Sequence, residues 1–251
     1  MSRLITITSG KGGVGKTTSS INLAAALNSF GKETVIVDAN LSTPNVGLHL
    51  GAPIVPVSLN HVLQGKAKIQ DAIYEHESGT KILPSSLSIS ELRKINHSRL
   101  KEVGKKLRKM ADFVIYDSAA GLGDEAIAAM ESADELIIIT NPEIPAVTDA
   151  LKTAKLIEQL GGDIRGVIVT RARNSKSEMP ISNIAEMLEL PILGVIPEDK
   201  RVQQSLVMKD ALVHTFPKCK ASIEYKRIAA KLAGINGYKE KSSFFGRLFG
   251  R

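Results

Sequence analysis

Gly10-Lys11-Gly12-Gly13-Val14-Gly15-Lys16-Thr17-Thr18 has the spacing G-x-x-x-x-G-K-T of a Walker A phosphate loop. The apolar run Leu4-Ile5-Thr6-Ile7-Thr8 stands ahead of it and a helical pattern over 21–30 behind it, the strand, loop and helix setting that the motif needs. Glycines let successive backbone N–H groups turn inward around phosphate oxygens, and the following helix offers the positive end of its dipole to the same anion. Lys16 supplies a full positive charge to the terminal phosphates, while the Thr17 hydroxyl is placed to ligate Mg²⁺. The whole stretch is therefore the expected nucleotide-binding core. Lys11 adds a second ammonium; it is either a solvated loop lysine or a cation that neutralises phosphate charge across a subunit boundary.

The rest of the 251-residue chain suits one domain built round that loop. Apolar residues make up 43% and charged residues 24%, ordinary for a globule with a sizeable core. Short apolar runs alternate with helical stretches, which predicts an α/β fold: a doubly wound, mostly parallel sheet with helices on both faces. Strands are expected at 4–8, 34–37, 81–83, 113–116, 136–140, 166–170 and 192–196. Several are continuously apolar, as strands buried on both faces are, and ligands are expected at their carboxyl ends. A lone Cys219 excludes an internal disulfide and any Cys-x-x-Cys metal or redox site. Met1-Ser2-Arg3-Leu4 leads straight into the first strand, so no secretory or transit segment is expected. No apolar run reaches the ~20 residues that span a bilayer, and a cytoplasmic protein is expected. The net charge of +7 favours an anionic partner, lipid headgroups or nucleic acid.

The second strand candidate ends Val35-Ile36-Val37-Asp38-Ala39-Asn40. Acid and amide groups there can hold Mg²⁺ or position an attacking water, and a plain turn uses the same residue types. The fourth ends Phe113-Val114-Ile115-Tyr116-Asp117-Ser118-Ala119-Ala120-Gly121, an apolar run delivering an acid to the sheet edge in the Walker B manner. That carboxylate reaches Mg²⁺, usually through a water, and Gly121 and Gly123 let the loop reorganise between nucleotide states.

K-G-G-V-G-K-T-T at 11–18 resembles the deviant Walker A of the MinD/ParA group of P-loop ATPases, and the resemblance covers essentially the whole chain. It implies ATP and Mg²⁺ as ligands, and a sandwich homodimer with ATP in which Lys11 reaches the partner's nucleotide. Leu41-Ser42-Thr43-Pro44-Asn45-Val46-Gly47-Leu48 resembles switch I of MinD-type proteins, but the group's water-orienting aspartate is replaced by Asn40. An amide can hold a water and cannot take its proton. Slow hydrolysis without a partner is therefore expected, with Asn40 aligning the water, Asp38 assisting near the metal, and Lys16, Lys11 and Mg²⁺ stabilising charge. The resemblance pairs Asp117 with Thr17 as the metal site and makes Ser118, Ala119, Ala120 and Gly121 switch II, with Ala119 where the group often has proline. Asp149 lies where relatives place a dimer or partner contact. Val195-Ile196-Pro197-Glu198-Asp199 resembles the loop over adenine and ribose, so Pro197, Glu198 and Asp199 join Thr170 and Arg171 as implied nucleotide contacts. Thr170 stands where the group's base-reading asparagine is usual.

The basic stretch Arg93-Lys94-Ile95-Asn96-His97-Ser98-Arg99-Leu100-Lys101 continues through Lys105, Lys106, Arg108 and Lys109. It is either a solvated helix face or a docking surface for anionic lipid or DNA. Residues 236–243 read as a linker that delivers Phe244-Phe245-Gly246-Arg247-Leu248-Phe249-Gly250-Arg251. In a helix, Phe244, Phe245, Leu248 and Phe249 share one side, with Arg247 and Arg251 off it. Such a segment is far shorter than the ~12–15 residues at which isolated helices become marginal. It either packs back on its own domain or lies among the headgroups of an anionic membrane. It resembles the C-terminal membrane-targeting helix of MinD proteins. The expectation is a MinD-like ATPase domain at 1–235 whose dimer attaches reversibly to the inner face of the cell membrane to position division or other polar machinery, under a regulatory protein partner. The alternatives are a ParA-like partitioning ATPase whose basic faces bind DNA nonspecifically, and a nucleotide-gated scaffold with negligible turnover.

Overall fold

Each of the expected apolar runs becomes a parallel strand of one sheet, and one further short strand joins it. In chain order the strands are β1 (Arg3–Ser9), β2 (Thr34–Ala39), β3 (Tyr74–Glu75), β4 (Lys81–Leu83), β5 (Phe113–Ala120), β6 (Glu135–Thr140), β7 (Ile164–Ala172) and β8 (Ile192–Pro197). Across the sheet they run β3-β4-β2-β5-β1-β6-β7-β8, with only β3 antiparallel to its neighbour. The computed structural model describes residues 2–92, 95–173, 175–235, 237 and 238. Arg93 and Lys94 of the basic stretch, most of the linker, and the whole of 244–251 lie outside them, including Phe244, Phe245, Arg247, Leu248, Phe249 and Arg251.

Helices connect the strands. They are α1 (Lys16–Ser29), α2 (Val46–His49), α3 (Leu59–Leu63), α4 (Ile89–Leu92), α5 (Leu100–Leu107) and α6 (Asp124–Ser132) in the first half. The second half adds α7 (Ile144–Gln159), α8 (Ile181–Leu188), α9 (Arg201–Val207), α10 (Leu212–Thr215) and α11 (Lys220–Leu232). Strand side chains alternate between the two faces, as the two-residue period dictates. Ile5, Ile7, Ile36 and Ile115 pack with Leu23 and Leu27 of α1 and Tyr225 and Ile228 of α11. Leu4, Val35, Val37 and Val114 face the other way, with Leu100, Val103 and Leu107 of α5. Leu136, Ile138 and Val167 continue that second face against Met130 of α6, Ala150 and Ile157 of α7, and Leu188 of α8. Each fully buried Leu or Ile contributes about 1.5–3 kcal/mol, so this double-sided burial is what fixes the sheet.

β1 lies between β5 and β6; from β1 the chain goes to β2 on one side, and from β5 it crosses β1 to β6 on the other, so the loop after β1 sits at the switch point where doubly wound sheets bind ligands. α1 starts at Lys16, five residues before the periodic pattern at 21–30. β5 runs on to Ala120, with Asp117 opposite Asp38 and Ser118 opposite Ala39 of β2. Ser118, Ala119 and Ala120, expected in a reorganising loop, are thus sheet; the loop begins at Gly121, whose φ of 86° suits glycine. Tyr238, inside the expected linker, packs its ring edge-on against Phe30 at 5.1 Å. Among the described residues, no helix is long and apolar enough to cross a membrane.

Candidate nucleotide site

The loop after β1 owes its shape to glycine where the backbone turns left-handed: Gly13 has φ 78° and Gly15 φ 92°. Gly10 is glycine for another reason. A Cβ there would lie 2.2 Å from the Asp149 carbonyl oxygen, so the loop's first turn rests directly on the α7 backbone. Ser9 Oγ closes the turn by donating to the Lys11 carbonyl at 2.8 Å. The Lys11 side chain is exposed and pairs with no acid among the described residues, whereas Lys16 is only 9% exposed. Burial lowers the Lys16 ammonium pKa, and the charge of Asp117 partly restores it.

Two buried acids meet at the ends of β2 and β5. The Asp117 carboxylate accepts from Thr17 Oγ1 at 2.6 Å and from Ser20 Oγ at 2.9 Å. Burial raises its pKa, against the pull of Thr17, Lys16 and Ser20. Asp38 is fully buried, and its pKa is raised further from normal, first by burial and then by the negative charge of Asp117. Its carboxylate accepts the backbone N–H groups of Asn45 at 2.8 Å, Val46 at 2.9 Å and Asn40 at 3.4 Å. Asp38 thereby anchors the loop that starts α2. Two adjacent carboxyls whose ionisation is suppressed and a threonine hydroxyl, all oxygen donors, form a set that a hard divalent cation suits.

The Asn40 amide turns into its own loop, giving Nδ2 to the Thr43 carbonyl at 2.6 Å and accepting from Thr43 Oγ1 at 3.0 Å. Next to it, Ser42 holds the Glu125 carboxylate of α6 through its N–H at 3.0 Å and its hydroxyl at 2.6 Å. The candidate first switch is therefore tied to the helix that follows the second.

On the far side of the loop a cavity of about 560 Å³ opens, a size common for small-molecule sites, and gathers residues expected from three separate segments. Gly15, Thr18, Thr170, Arg171, Pro197, Glu198 and Asp199 all line it. Thr170 is buried, and its hydroxyl donates to the Val14 carbonyl at 2.5 Å with Asn141 Oδ1 and the Thr140 carbonyl also in reach. It braces the phosphate loop against the end of β6. Arg171 holds a φ of 55°, an uncommon left-handed conformation for a side-chain-bearing residue. Glu198 forms an ion pair with Arg173, and Asp199 takes a two-pronged contact from Arg201 at 2.8 and 2.7 Å. These hydrogen bonds hold both carboxyl pKa values below the ordinary range.

Several partners escape sequence reading. Ser20 lies one turn beyond Thr17 on α1, and that i, i+3 spacing was the only signal of it. Asn45, Glu125, Arg173, Arg201 and Ser85, whose hydroxyl donates to the Asp38 carbonyl at 2.7 Å, act through turn geometry and distant elements, which no local pattern announces.

A family model described as the CobQ/CobB/MinD/ParA nucleotide binding domain matches residues 5–211. The chain belongs to this family. An uncharacterised ATP-binding protein of Methanocaldococcus jannaschii is 41% identical over 259 residues, spanning 100% of this chain and 98% of its own length. The septum site-determining protein MinD of Neisseria meningitidis is 34% identical over 272 residues, spanning 100% of both. The solved structure of the septum site-determining protein MinD of Pyrococcus horikoshii, complexed with Mg-ADP, has a TM-score of 0.89 at 35% identity and covers 96% of this chain and 100% of that one. The eight-stranded P-loop architecture is therefore MinD-like, and this branch of the family supplies the relatives against which the site can be read.

Proposed function

We propose that the protein is a MinD-like ATPase that binds Mg-ATP, dimerises around it, and uses the dimer to grip a membrane surface reversibly. The observation that carries the reading is the convergence of Thr17, Lys16 and the paired acids Asp117 and Asp38 under a loop whose exposed Lys11 pairs with no acid among the described residues. In this reading the backbone N–H groups of 10–18 and the Lys16 ammonium hold the β- and γ-phosphates. Thr17 and Asp117 would hold Mg²⁺, which supplies neutralisation of charge on the phosphate oxygens. Exposed Lys11 reaches the nucleotide of a facing subunit, making triphosphate the ligand that favours the dimer. That differential is required, since a ligand with equal affinity for both states shifts neither.

Residues 1–235 act as the ATPase domain and 244–251 as the lipid-gripping segment, with 236–243 between them. One such segment binds weakly, and two on one dimer bind far better. The names of the relatives, septum site determination among them, support a role in placing division or other polar machinery. Sedimentation of the full chain with anionic vesicles tests the reading. Mg-ATP should bring the protein down and Mg-ADP should not, while Phe245→Glu with Leu248→Glu should abolish sedimentation and spare nucleotide binding. Equal sedimentation in both nucleotide states would defeat it.

A second reading, a nucleotide-gated scaffold with negligible turnover, is favoured by one observation: the Asn40 amide is spent on Thr43. Phosphate release followed over hours separates the two readings, because a scaffold releases none.

A further inference from the structure

Polar and apolar side chains both line the nucleotide cavity, and the side chains there that can accept a proton from a base are largely committed to protein partners. Thr170 Oγ1 donates to the Val14 carbonyl, and its side chain lies against the phosphate loop: a Cβ at Gly15 would meet that oxygen at 3.6 Å. Glu198 is paired with Arg173, and both Asp199 oxygens are held by Arg201. Tyr225 is buried, with its hydroxyl 3.1 Å from Ser19 Oγ.

Adenine and guanine differ at the edge that such groups read. Adenine donates from its N6 amino group where guanine accepts at O6, and both accept at N7. Telling the two apart takes a fixed acceptor or a fixed donor aimed at that edge. Gln203, the one amide among the described lining residues, is exposed on α9, and an amide presents its oxygen to one base as readily as its nitrogen to the other. Arg171 and Lys200 are exposed and carry donors only, which the N7 acceptor of either purine satisfies. What remains is grip on the face of the base. Ile196, Pro197 and Val202 supply apolar wall, and the planar Arg171 guanidinium suits stacking on any aromatic ring.

We propose that the site holds its triphosphate by the phosphates and by the face of the base without reading the base edge, so that GTP binds nearly as well as ATP. The inference rests on the proposed nucleotide site and deepens it, naming purine nucleoside triphosphates as the ligand class. A site built to hydrogen-bond a substrate group rejects the analogue lacking it by about 10⁴–10⁵-fold, and walls that fit both bases separate them far less. Thr170 is in this account a positioning residue, which braces the phosphate loop for either triphosphate.

Competition of unlabelled Mg-ATP and Mg-GTP against a fluorescent nucleotide on the full chain tests the proposal. The two dissociation constants should lie within about tenfold of each other. A preference for ATP larger than that overturns the proposal and assigns base reading to the backbone of 197–199. Thr170→Val should weaken both nucleotides by the same factor, through the lost brace, and Gln203→Ala should also keep the ratio of the two constants. A ratio that moves more than about threefold in either variant shows a side chain touching the base edge, and overturns the proposal. A chain that binds ATP tightly and GTP hardly at all defeats this inference alone, whereas one that binds neither defeats the nucleotide site with it. Equal affinities in a chain that no nucleotide brings down with anionic vesicles uphold the inference and defeat the membrane reading.

Discussion

Replacing Gly10 by alanine tests how tightly the phosphate loop is built against α7. The added Cβ would stand 2.2 Å from the Asp149 carbonyl oxygen, 2.5 Å from its carbon and 2.8 Å from its Cβ, against the 3.4 Å at which ordinary contact starts. The first two are backbone atoms, so no rotamer change relieves the clash; loop or helix must shift by about 1 Å. Overpacking of this kind costs about 1–3 kcal/mol, and a 1 Å displacement of a binding group costs about 10²-fold in function. Gly12→Ala is the matched control, since a Cβ there meets nothing within 4 Å. It should change stability by less than about 0.5 kcal/mol. Urea unfolding of the nucleotide-free chains reads the stability difference, and titration with a fluorescent ATP analogue reads the loss in the Gly10→Ala variant. If Gly10→Ala unfolds at the same urea concentration as Gly12→Ala and binds like the parent, the loop does not rest on α7 and the packing argument fails.

Thr17→Val keeps the side-chain volume and removes the 2.6 Å bond to buried Asp117, so it should cost about 1.5–3 kcal/mol of nucleotide-free stability, by chemical denaturation, and make nucleotide affinity insensitive to Mg²⁺. Asn40→Asp should free the side chain from the Thr43 carbonyl and raise single-turnover phosphate release at least about tenfold, within what a placed base contributes; an unchanged rate removes Asn40 from the mechanism. The raised carboxyl pKa values of Asp38 and Asp117 mean that the empty folded site holds protons that the unfolded chain has lost above pH ~4. The stability this pair provides is therefore full below that pH and fades as pH rises through the raised values. Binding of Mg-nucleotide, which favours both charged forms, should release protons, seen by calorimetry in buffers of different ionisation enthalpy; proton uptake would contradict the assignment.

The sheet was legible because strands buried on both faces are apolar, as in 136–140, and because the edge strand at 192–196 is apolar too although most of it is only half-buried. β3 was not, because two residues carry no period. The end of β5 was misread for a related reason: Asp117 and Ser118 look like loop, yet each pairs with a residue at the end of β2. Within the site, residue types announced what would converge, and the P-loop, Asp117 and the 197–199 loop do meet. Side-chain partners stayed hidden. Nothing local says that Thr170 braces Val14, that Asn40 turns to Thr43, or that α7 lies against Gly10, since each depends on elements packed together by the distant core.

Light scattering of the full chain in Mg-ATP and in Mg-ADP measures the coupling on which the rest depends. A mass twice that of the single chain with the triphosphate, and the single-chain mass with the diphosphate, is the predicted result. A single-chain mass in both would contradict the account.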